Sequence, residues 1–227
     1  MLPEKGKSVR TNTHRIRQSL ENAILNGDYL PGARLDPDAL AQQFACSRTP
    51  IRDVLQLLEA SGLVQVLPKR GTYVTQWSFA ELAERFEVMA EVEASCARLA
   101  ARRITEAELA AFTAAQAACV SAASTGDAEA YYASNTVFHH CLYRATHNSY
   151  LEAEALRLHR MLQPYRRLQL RSRNRIAGSL GEHQAILDAV RNGDAEGAAA
   201  ATHAHIIVQG DRFHDLVAAL REAIPAS

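Results

Sequence analysis

Histidine is the residue type whose spacing most directly suggests chemistry in this chain. Asn135 and His139 are four residues apart, so they lie on one face of a helix. His183 precedes a turn at Gly193 by ten residues, and His205 follows that turn by twelve. At a rise of about 1.5 Å per residue, an antiparallel hairpin brings these two imidazoles to similar heights. Three imidazoles and one amide oxygen from three helices can hold a divalent transition metal, with zinc, nickel, iron and manganese as candidates.

The same histidines also have a simpler interpretation, as hydrogen-bonded residues of a helical core. His183 shares its face with Ile186, Leu187 and Val190, so it points inward and needs a polar partner there. A neighbouring side chain usually satisfies a single inward imidazole, whereas three at compatible heights make a metal centre an equal alternative. The remaining histidines of this region are interpreted as surface or hydrogen-bonding residues: His140, His147, His159, His203 and His214.

A second group of residues, in the first third of the chain, suggests contact with DNA. Arg48 and Arg52 are one helical turn apart, and their guanidinium groups can bind guanine edges or phosphates in one groove. Ser47 and Thr49 offer hydroxyls at the same helix N-terminus, where backbone amides attract phosphate. A basic helix on its own would be interpreted as a solvated surface. Here a Pro-Gly turn precedes the helix and a basic hairpin follows it, so the order of elements favours a DNA-binding head.

The elements that position these basic residues predict a winged helix-turn-helix. Pro37 and Pro50 both fit helix starts, because first-turn amides have no intrahelical partner. Ser47 is the predicted N-cap of the recognition helix, and Gly62 ends that helix. Residues 1–9 are predicted to be disordered. The predicted elements are helices over 12–26, 37–44 and 47–62, strands around 64–66 and 73–75, and a wing tip made of Pro68, Lys69, Arg70 and Gly71.

Beyond Trp77 and Ser78 the apolar pattern predicts helices throughout. Thr105 and Glu108 have the spacing of a capping box at one helix start. The predicted helices cover 78–103, from Thr105 to the turn at 126–127, from there to about 146, 150 to about 171 with a possible bend at Pro164, 179–193, and 194 to about 223. The predicted fold class is mainly α, with an N-terminal winged helix-turn-helix over 10–76 and a C-terminal all-α antiparallel helical bundle over 79–223.

Charge and cysteine content limit the class of protein. Net charge is zero, but residues 1–77 carry about +3 and the remainder about −3, which suits a DNA-binding head joined to a sensor. The four cysteines form no CxxC pair, which predicts reduced thiols in the cytoplasm. The first residues lack an apolar stretch, and no apolar run approaches about 18 residues, so neither a signal peptide nor a membrane span is predicted.

The head resembles the GntR family of bacterial transcription regulators. The resemblance rests on LPGARL, on SRTPIRDVLQLLEASGLV and on KRGTYV, and it covers roughly residues 10–76. It implies that Arg48, Thr49 and Arg52, together with the wing, contact DNA. Asp38 stands where the family usually has a basic or polar contact. Ala45 replaces the usual glycine before the recognition helix, which predicts a turn without strongly positive φ or one with modest strain.

The body resembles the ligand-binding domain of FadR-type regulators, often called FCD. The similar segments are FEVMAEVEA, NTVFH, EHQAILDAV and GDAEGAAAATHAHI. In metal-binding members of this family, an Asp or Asn and three histidines coordinate the ion. The resemblance therefore implies Asn135, His139, His183 and His205 as ligands. Met89 stands near the position of an arginine that often binds an effector carboxylate in the family.

These features predict a metabolite-responsive regulator, expected to be a repressor, that binds an inverted-repeat operator as a homodimer. Because Asn135 is neutral, four neutral ligands would leave an ion uncompensated, which predicts a small anionic effector. Nearby arginines are candidate effector contacts, although the same run suits a solvated connector or an interdomain contact: Arg166, Arg167 and Arg171, with Arg173 and Arg175.

Two other functions remain open at the level of sequence. A metal-dependent hydrolase or isomerase would use three histidines to activate water. It lacks a clearly placed carboxylate, because Glu182 adjoins His183 but should point about 100° away on a helix. A structural DNA-binding protein without a ligand would have a bundle core with no polar cavity.

Overall fold

The computed structural model describes residues 5–170 and 175–211 of the chain. These residues belong to two compact units, Met1–Trp77 and Ser78–Ser227. The predicted fold class is confirmed. The first unit is a winged helix-turn-helix with a small sheet, and the second is helical.

The first unit packs three helices against a three-stranded sheet. The sheet has the strand order β1-β3-β2, and both of its pairings are antiparallel. The central strand, β3, is therefore hydrogen-bonded both to β2, its partner in the wing hairpin, and to β1, which lies just before the second helix. The elements are α1 (Lys5–Asn26), β1 (Arg34–Leu35), α2 (Pro37–Gln43), α3 (Arg48–Ala60), β2 (Val64–Leu67) and β3 (Gly71–Val74).

Helix α3 is held by one apolar face. Ile51, Val54, Leu55 and Leu58 follow the i, i+3, i+4, i+7 pattern and are all buried. They pack into the same core as apolar residues of α1, among them Ile16. Because this face is fixed inward, the opposite side of the first turn of α3 faces solvent.

Three details of the first unit differ from the predictions. The prediction of disorder over residues 1–9 is wrong from Lys5 onward, because α1 begins at Lys5. The strand β1 was not predicted, since two residues are too few to show an alternating pattern. Thr75 lies beyond the end of β3, and the inward side chains of β3 are Thr72 and Val74.

The turn between α2 and α3 contains a strained residue. Ala45 adopts φ +49, a left-handed conformation that favours glycine. The amide of Ala45 donates to the Gln42 carbonyl, and the amide of Cys46 donates to the Ala41 carbonyl. These bonds close the end of α2, so the turn has the modest strain that was one of the two predicted outcomes.

The described part of the second unit contains six helices. Ser78 caps the first and Thr105 caps the second, each through a complete capping box with Glu81 and Glu108. The box at Thr105 confirms the prediction. The helices are α4 (Phe79–Arg103), α5 (Glu106–Ser124), α6 (Ala128–Arg144), α7 (Ser149–Gln169), α8 (Arg175–Arg191) and α9 (Ala195–Asp211).

Two helix boundaries in this unit differ from the sequence pattern. Helix α8 begins at Arg175, one turn before the predicted start at Ser179. Helix α7 runs through Pro164 and ends at Gln169 rather than near Arg171. The predicted end of the last helix near residue 223 lies outside the described residues.

The second unit has an apolar core rich in alanine. Small side chains let α4 pack closely along α9, and large rings fill the space between α5 and α6, including Phe112 and Phe138 at 4.4 Å. Tyr131 and Tyr143 are also fully buried. In the described residues, no helix is long and apolar enough to cross a membrane.

Candidate functional site

Three histidines from three different helices meet in the interior of the second unit. His139 comes from α6, His183 from α8 and His205 from α9, and each is at most 1% exposed. One ring nitrogen of each lies within 4.8 Å of the corresponding nitrogens of the other two. The hairpin geometry predicted similar heights for His183 and His205, and their closeness in the structure agrees with it.

The ring of His139 is oriented from both sides. Its Nδ1 lies 2.8 Å from the Glu93 carboxylate, and its Nε2 lies 2.9 Å from Nη2 of Arg166. A guanidinium group can only donate, so Nε2 must accept and Nδ1 must carry the proton that Glu93 accepts. His139 is therefore fixed as the tautomer whose Nε2 lone pair points into the cluster.

His205 has a matching arrangement. Its Nδ1 lies 2.5 Å from Oε2 of Glu182, and Arg175 holds that carboxylate with two hydrogen bonds of 3.0 and 2.8 Å. Burial opposes the ionisation of Glu182, but the hydrogen bonds from His205 and Arg175 outweigh it and lower the pKa of Glu182 to about 2. Nδ1 of His205 therefore donates, and Nε2 keeps a lone pair.

His183 is held mainly by packing. Its ring stacks on Phe138 with centroids 4.0 Å apart, and its Nε2 lies 3.5 Å from Oγ of Ser179. Nδ1 of His183 is buried with no hydrogen-bond partner. An orphaned imidazole nitrogen in a polar cluster is the kind of group that a bound ligand or ion satisfies.

The chemistry of these donors fits a divalent transition metal. Nε2 of His139 and Nε2 of His205 are 3.4 Å apart, and both carry lone pairs. Burial lowers the pKa of all three imidazoles below the ordinary histidine value, assisted at His139 by the Arg166 charge. This favours the neutral imidazole, which is the form that binds metal. Carboxylates on the opposite ring nitrogens orient the ligands of many metal sites in the same way.

Asn135 lies beside the cluster, one helical turn before His139, and is 4% exposed. It lines a narrow polar crevice that also contains Tyr132, Arg166, Gln169, Leu170, Arg175 and Ser179. Asn135 therefore lines this crevice, whereas the three histidines form the buried cluster.

The three predicted effector arginines have different environments. Arg166 is 3% exposed and reaches Glu93 at 3.2 Å, His139, and the Met89 sulfur at 3.5 Å. A guanidinium from α7 therefore lies beside Met89 on α4, the residue that the sequence analysis placed near an arginine position of the family it resembles. Arg167 instead pairs with Glu129 and lies over the Tyr132 ring. Arg171 is outside the described residues.

The sequence analysis missed the two carboxylates at the cluster. Glu93 is fully buried on α4, four residues after Met89 and three before Cys96. A charged residue on the apolar face of this helix was therefore the signal from which the sequence analysis could have predicted it. Glu182 was expected to point away from the site. It does point away from His183, but it meets His205 on the neighbouring helix.

Glu93 also connects the cluster to a fourth histidine. The Tyr143 hydroxyl donates to Glu93 at 2.7 Å and lies 3.1 Å from Nδ1 of His159. Because that hydroxyl has one hydrogen, His159 must donate to it. His159, which the sequence analysis described as a surface or hydrogen-bonding residue, is buried and hydrogen-bonded.

The predicted DNA-contact residues of α3 lie on its exposed side. Ser47, Arg48, Thr49 and Arg52 are exposed, and the Ser47 hydroxyl makes no capping bond although Ser47 occupies the N-cap position. Arg48 forms an ion pair with Asp38 from α2. A carboxylate therefore lies beside one of the two guanidinium groups predicted to enter the groove.

The wing is a tight hairpin with a basic tip. The Arg70 amide donates to the Leu67 carbonyl at 3.0 Å, and the Tyr73 hydroxyl donates to the Arg70 carbonyl at 3.1 Å. Lys69 has φ +62 and Gly71 has φ +111. The turn is closed by these bonds, and the side chains of Lys69 and Arg70 are exposed.

Both parts of the chain match known families. Residues 12–74 match the family model described as bacterial regulatory proteins of the gntR family, and residues 84–207 match the FCD domain. The second match alone spans more than half of the chain.

Individual relatives agree with these matches. The galactonate operon transcriptional repressor of Escherichia coli (strain K12) is 28% identical over 82% of this chain and 90% of the relative. An HTH-type transcriptional regulator from an unstable DNA locus of Streptomyces ambofaciens is 30% identical over 87% and 83%. The solved structure of E. coli McbR/YncC has a TM-score of 0.77 at 22% identity, covering 91% of this chain and 98% of that one.

Proposed function

Because the chain belongs to the GntR family of bacterial transcription regulators and carries an FCD domain, we propose that it is a metal-dependent, metabolite-responsive repressor. It binds an inverted-repeat operator as a homodimer. A small carboxylate that binds in the FCD domain weakens this binding. The observation that carries the proposal is the convergence of three neutral, buried imidazoles from α6, α8 and α9.

In the proposed metal site, His139, His183, His205 and Asn135 hold a divalent ion, with zinc, nickel, iron or manganese as candidates. The ion would supply a Lewis-acidic position for an effector carboxylate. Glu93 and Glu182 keep two of the imidazoles in the required tautomer through the hydrogen bonds at Nδ1.

The charge balance favours an anionic effector. Each carboxylate beside the cluster is paired with a buried arginine, Glu93 with Arg166 and Glu182 with Arg175, so the two pairs add no net charge. Neutral ligands and neutral surroundings leave the charge of a dication uncompensated, which an anion would offset. The crevice measures only about 10 Å³, so an effector has to widen it, and its hydroxyl and amide groups suit a hydroxylated carboxylate. A relative named for a galactonate operon supports sugar acids as the first class to test.

The proposed DNA contacts are the exposed groups of the α3 N-terminus and the wing. Ser47 and Thr49 suit phosphates, and Arg48 and Arg52 suit guanine edges or phosphates. The remaining proposed contacts are Lys69, Arg70 and Gly71. One head reads few base pairs, so a dimer on an inverted repeat supplies the specificity.

A hydrolase or isomerase is not retained, because the relatives and both family matches are transcription regulators. The arrangement of the carboxylates agrees with this. Glu93 accepts three hydrogen bonds and Glu182 is tied to Arg175, so both position imidazoles rather than act on a substrate.

The test is operator binding by the full chain, first by selection of bound genomic fragments and then by titration at fixed salt. We expect the metal-loaded chain to bind one inverted repeat, and sugar acids or short dicarboxylates to weaken that binding. The double variant R48A/R52A should lose sequence-selective binding, with the surface variant R157A as a matched control. The proposal fails if R48A/R52A keeps selectivity, if purified chain binds no divalent metal, or if no carboxylate changes operator affinity.

A further inference from the structure

The Nε2 lone pair of His139 is already in use. Arg166 donates to it from Nη2 at 2.9 Å, while Nη1 of the same guanidinium donates to Glu93 at 3.2 Å. Arg166 is buried, and its two terminal nitrogens have different partners: Nη2 has the imidazole and Nη1 has the carboxylate. This lone pair is also the one that the proposed metal site requires, and a nitrogen lone pair serves one partner at a time.

The geometry points to Arg166 as an internal competitor for the metal ligand His139, released only when an ion takes its place. Its Nη1 stays with Glu93, and its Nη2 is then available to an anion in the crevice. Metal and anion therefore bind as a cooperative pair, with Arg166 as the residue that couples them. This inference rests on the proposed metal site.

The surroundings of Arg166 support this role. Arg166 lines the crevice together with Tyr132 and Asn135, so the arginine has polar neighbours other than His139. The Tyr132 hydroxyl is buried with no hydrogen-bond partner, and Tyr132 also lines the crevice. The Met89 sulfur, a further contact of the guanidinium, is only a weak acceptor.

The second buried arginine provides a matched comparison. Arg175 is as buried as Arg166 and is also paired with a carboxylate, Glu182. It approaches His205 only at Nδ1, at 3.5 Å, which is the side that faces the carboxylate and not the cluster. Removing Arg175 therefore removes an equal charge without freeing a coordinating lone pair.

The experiment is calorimetric titration of the metal-free full chain with Zn²⁺, with and without saturating succinate, at fixed pH and salt. Arg166→Met should bind zinc alone about tenfold more tightly than the natural chain, because a charge-assisted hydrogen bond no longer has to be broken. Succinate should strengthen zinc binding by the natural chain more than it does in R166M. R175M should not gain zinc affinity. Circular dichroism checks folding. If R166M does not fold, R166K is used, and the same direction is expected because the single nitrogen of a lysine cannot occupy the positions of both Nη1 and Nη2.

The outcomes separate this inference from the proposed function. Zinc binding by the natural chain that is equal to or tighter than binding by R166M, or by R166K, overturns the coupling role and leaves the metal site standing. An equal gain in R175M overturns it as well, because the effect would then be one of charge alone. Absence of zinc binding by the natural chain overturns both the metal site and the inference.

Discussion

The buried ion pair between Glu93 and Arg166 should dominate the stability of the helical unit. The two side chains are 0% and 3% exposed, and Glu93 also accepts from His139 and Tyr143. Replacement of Glu93 by Gln keeps the shape but leaves the guanidinium charge without a counter-ion. Removing one partner of a buried pair costs about 3–5 kcal/mol, and burial this complete leaves little solvent screening to reduce the loss.

Hydrogen–deuterium exchange of the full chain, resolved by peptide, measures this loss locally. Peptides of α4, α6 and α7 in E93Q should exchange roughly 100- to 4,000-fold faster if they exchange by opening of the whole unit. Peptides of the winged head provide an internal control. E91Q is the matched variant, because Glu91 is on the same helix but 76% exposed in its pair with His203. It should leave exchange unchanged.

A double-mutant cycle distinguishes the pair from a general packing effect. E93Q/R166M removes both charges, so it should recover a large part of the stability that E93Q loses. If E93Q accelerates exchange by less than about tenfold, the desolvated pair does not stabilise the unit. If the double variant is as unstable as the sum of the single changes, the two charges are not coupled, and the reasoning from their geometry is refuted.

Three further predictions concern other parts of the chain. Asp38→Asn should release Arg48 from its ion pair and raise DNA affinity at low salt. The slope of log affinity against log salt concentration should become steeper by the amount expected for about one phosphate contact, and an unchanged slope would contradict this. Burial raises the pKa of the Cys119 thiol to about 12. At pH 8 iodoacetamide should therefore modify the half-buried Cys46 and leave Cys119 intact until denaturant is added, which mass spectrometry can check. Glu182→Gln should weaken zinc binding about 10- to 100-fold by loosening the imidazole it orients, and calorimetry showing full affinity would exclude that role.

Much of the head could be predicted from sequence because its signals are local. The apolar spacing within α3, the prolines at helix starts and the glycine in the wing each act over a few residues. The strand β1 escaped detection because it exists only through its pairing with β3. The ion pair of Arg48 with Asp38 was also missed, since it joins two helices across a turn with unusual geometry at Ala45.

The candidate metal centre was predictable to the extent that helix periodicity determines which face a residue occupies. The four-residue spacing of Asn135 and His139, and the similar distances of His183 and His205 from a turn (ten and twelve residues), were the signals that predicted these side chains at one level.

The amino-acid sequence by itself therefore determined the helical architecture and the inward direction of the imidazoles, because these follow from short-range spacing and apolar burial. Only the tertiary structure decided which charged groups meet them. Glu93 comes from α4, Arg166 from α7 and Glu182 from α8, and their contacts with imidazoles of other helices depend on how whole helices pack. In a low-dielectric core such charges must find partners, and long-range packing selects those partners.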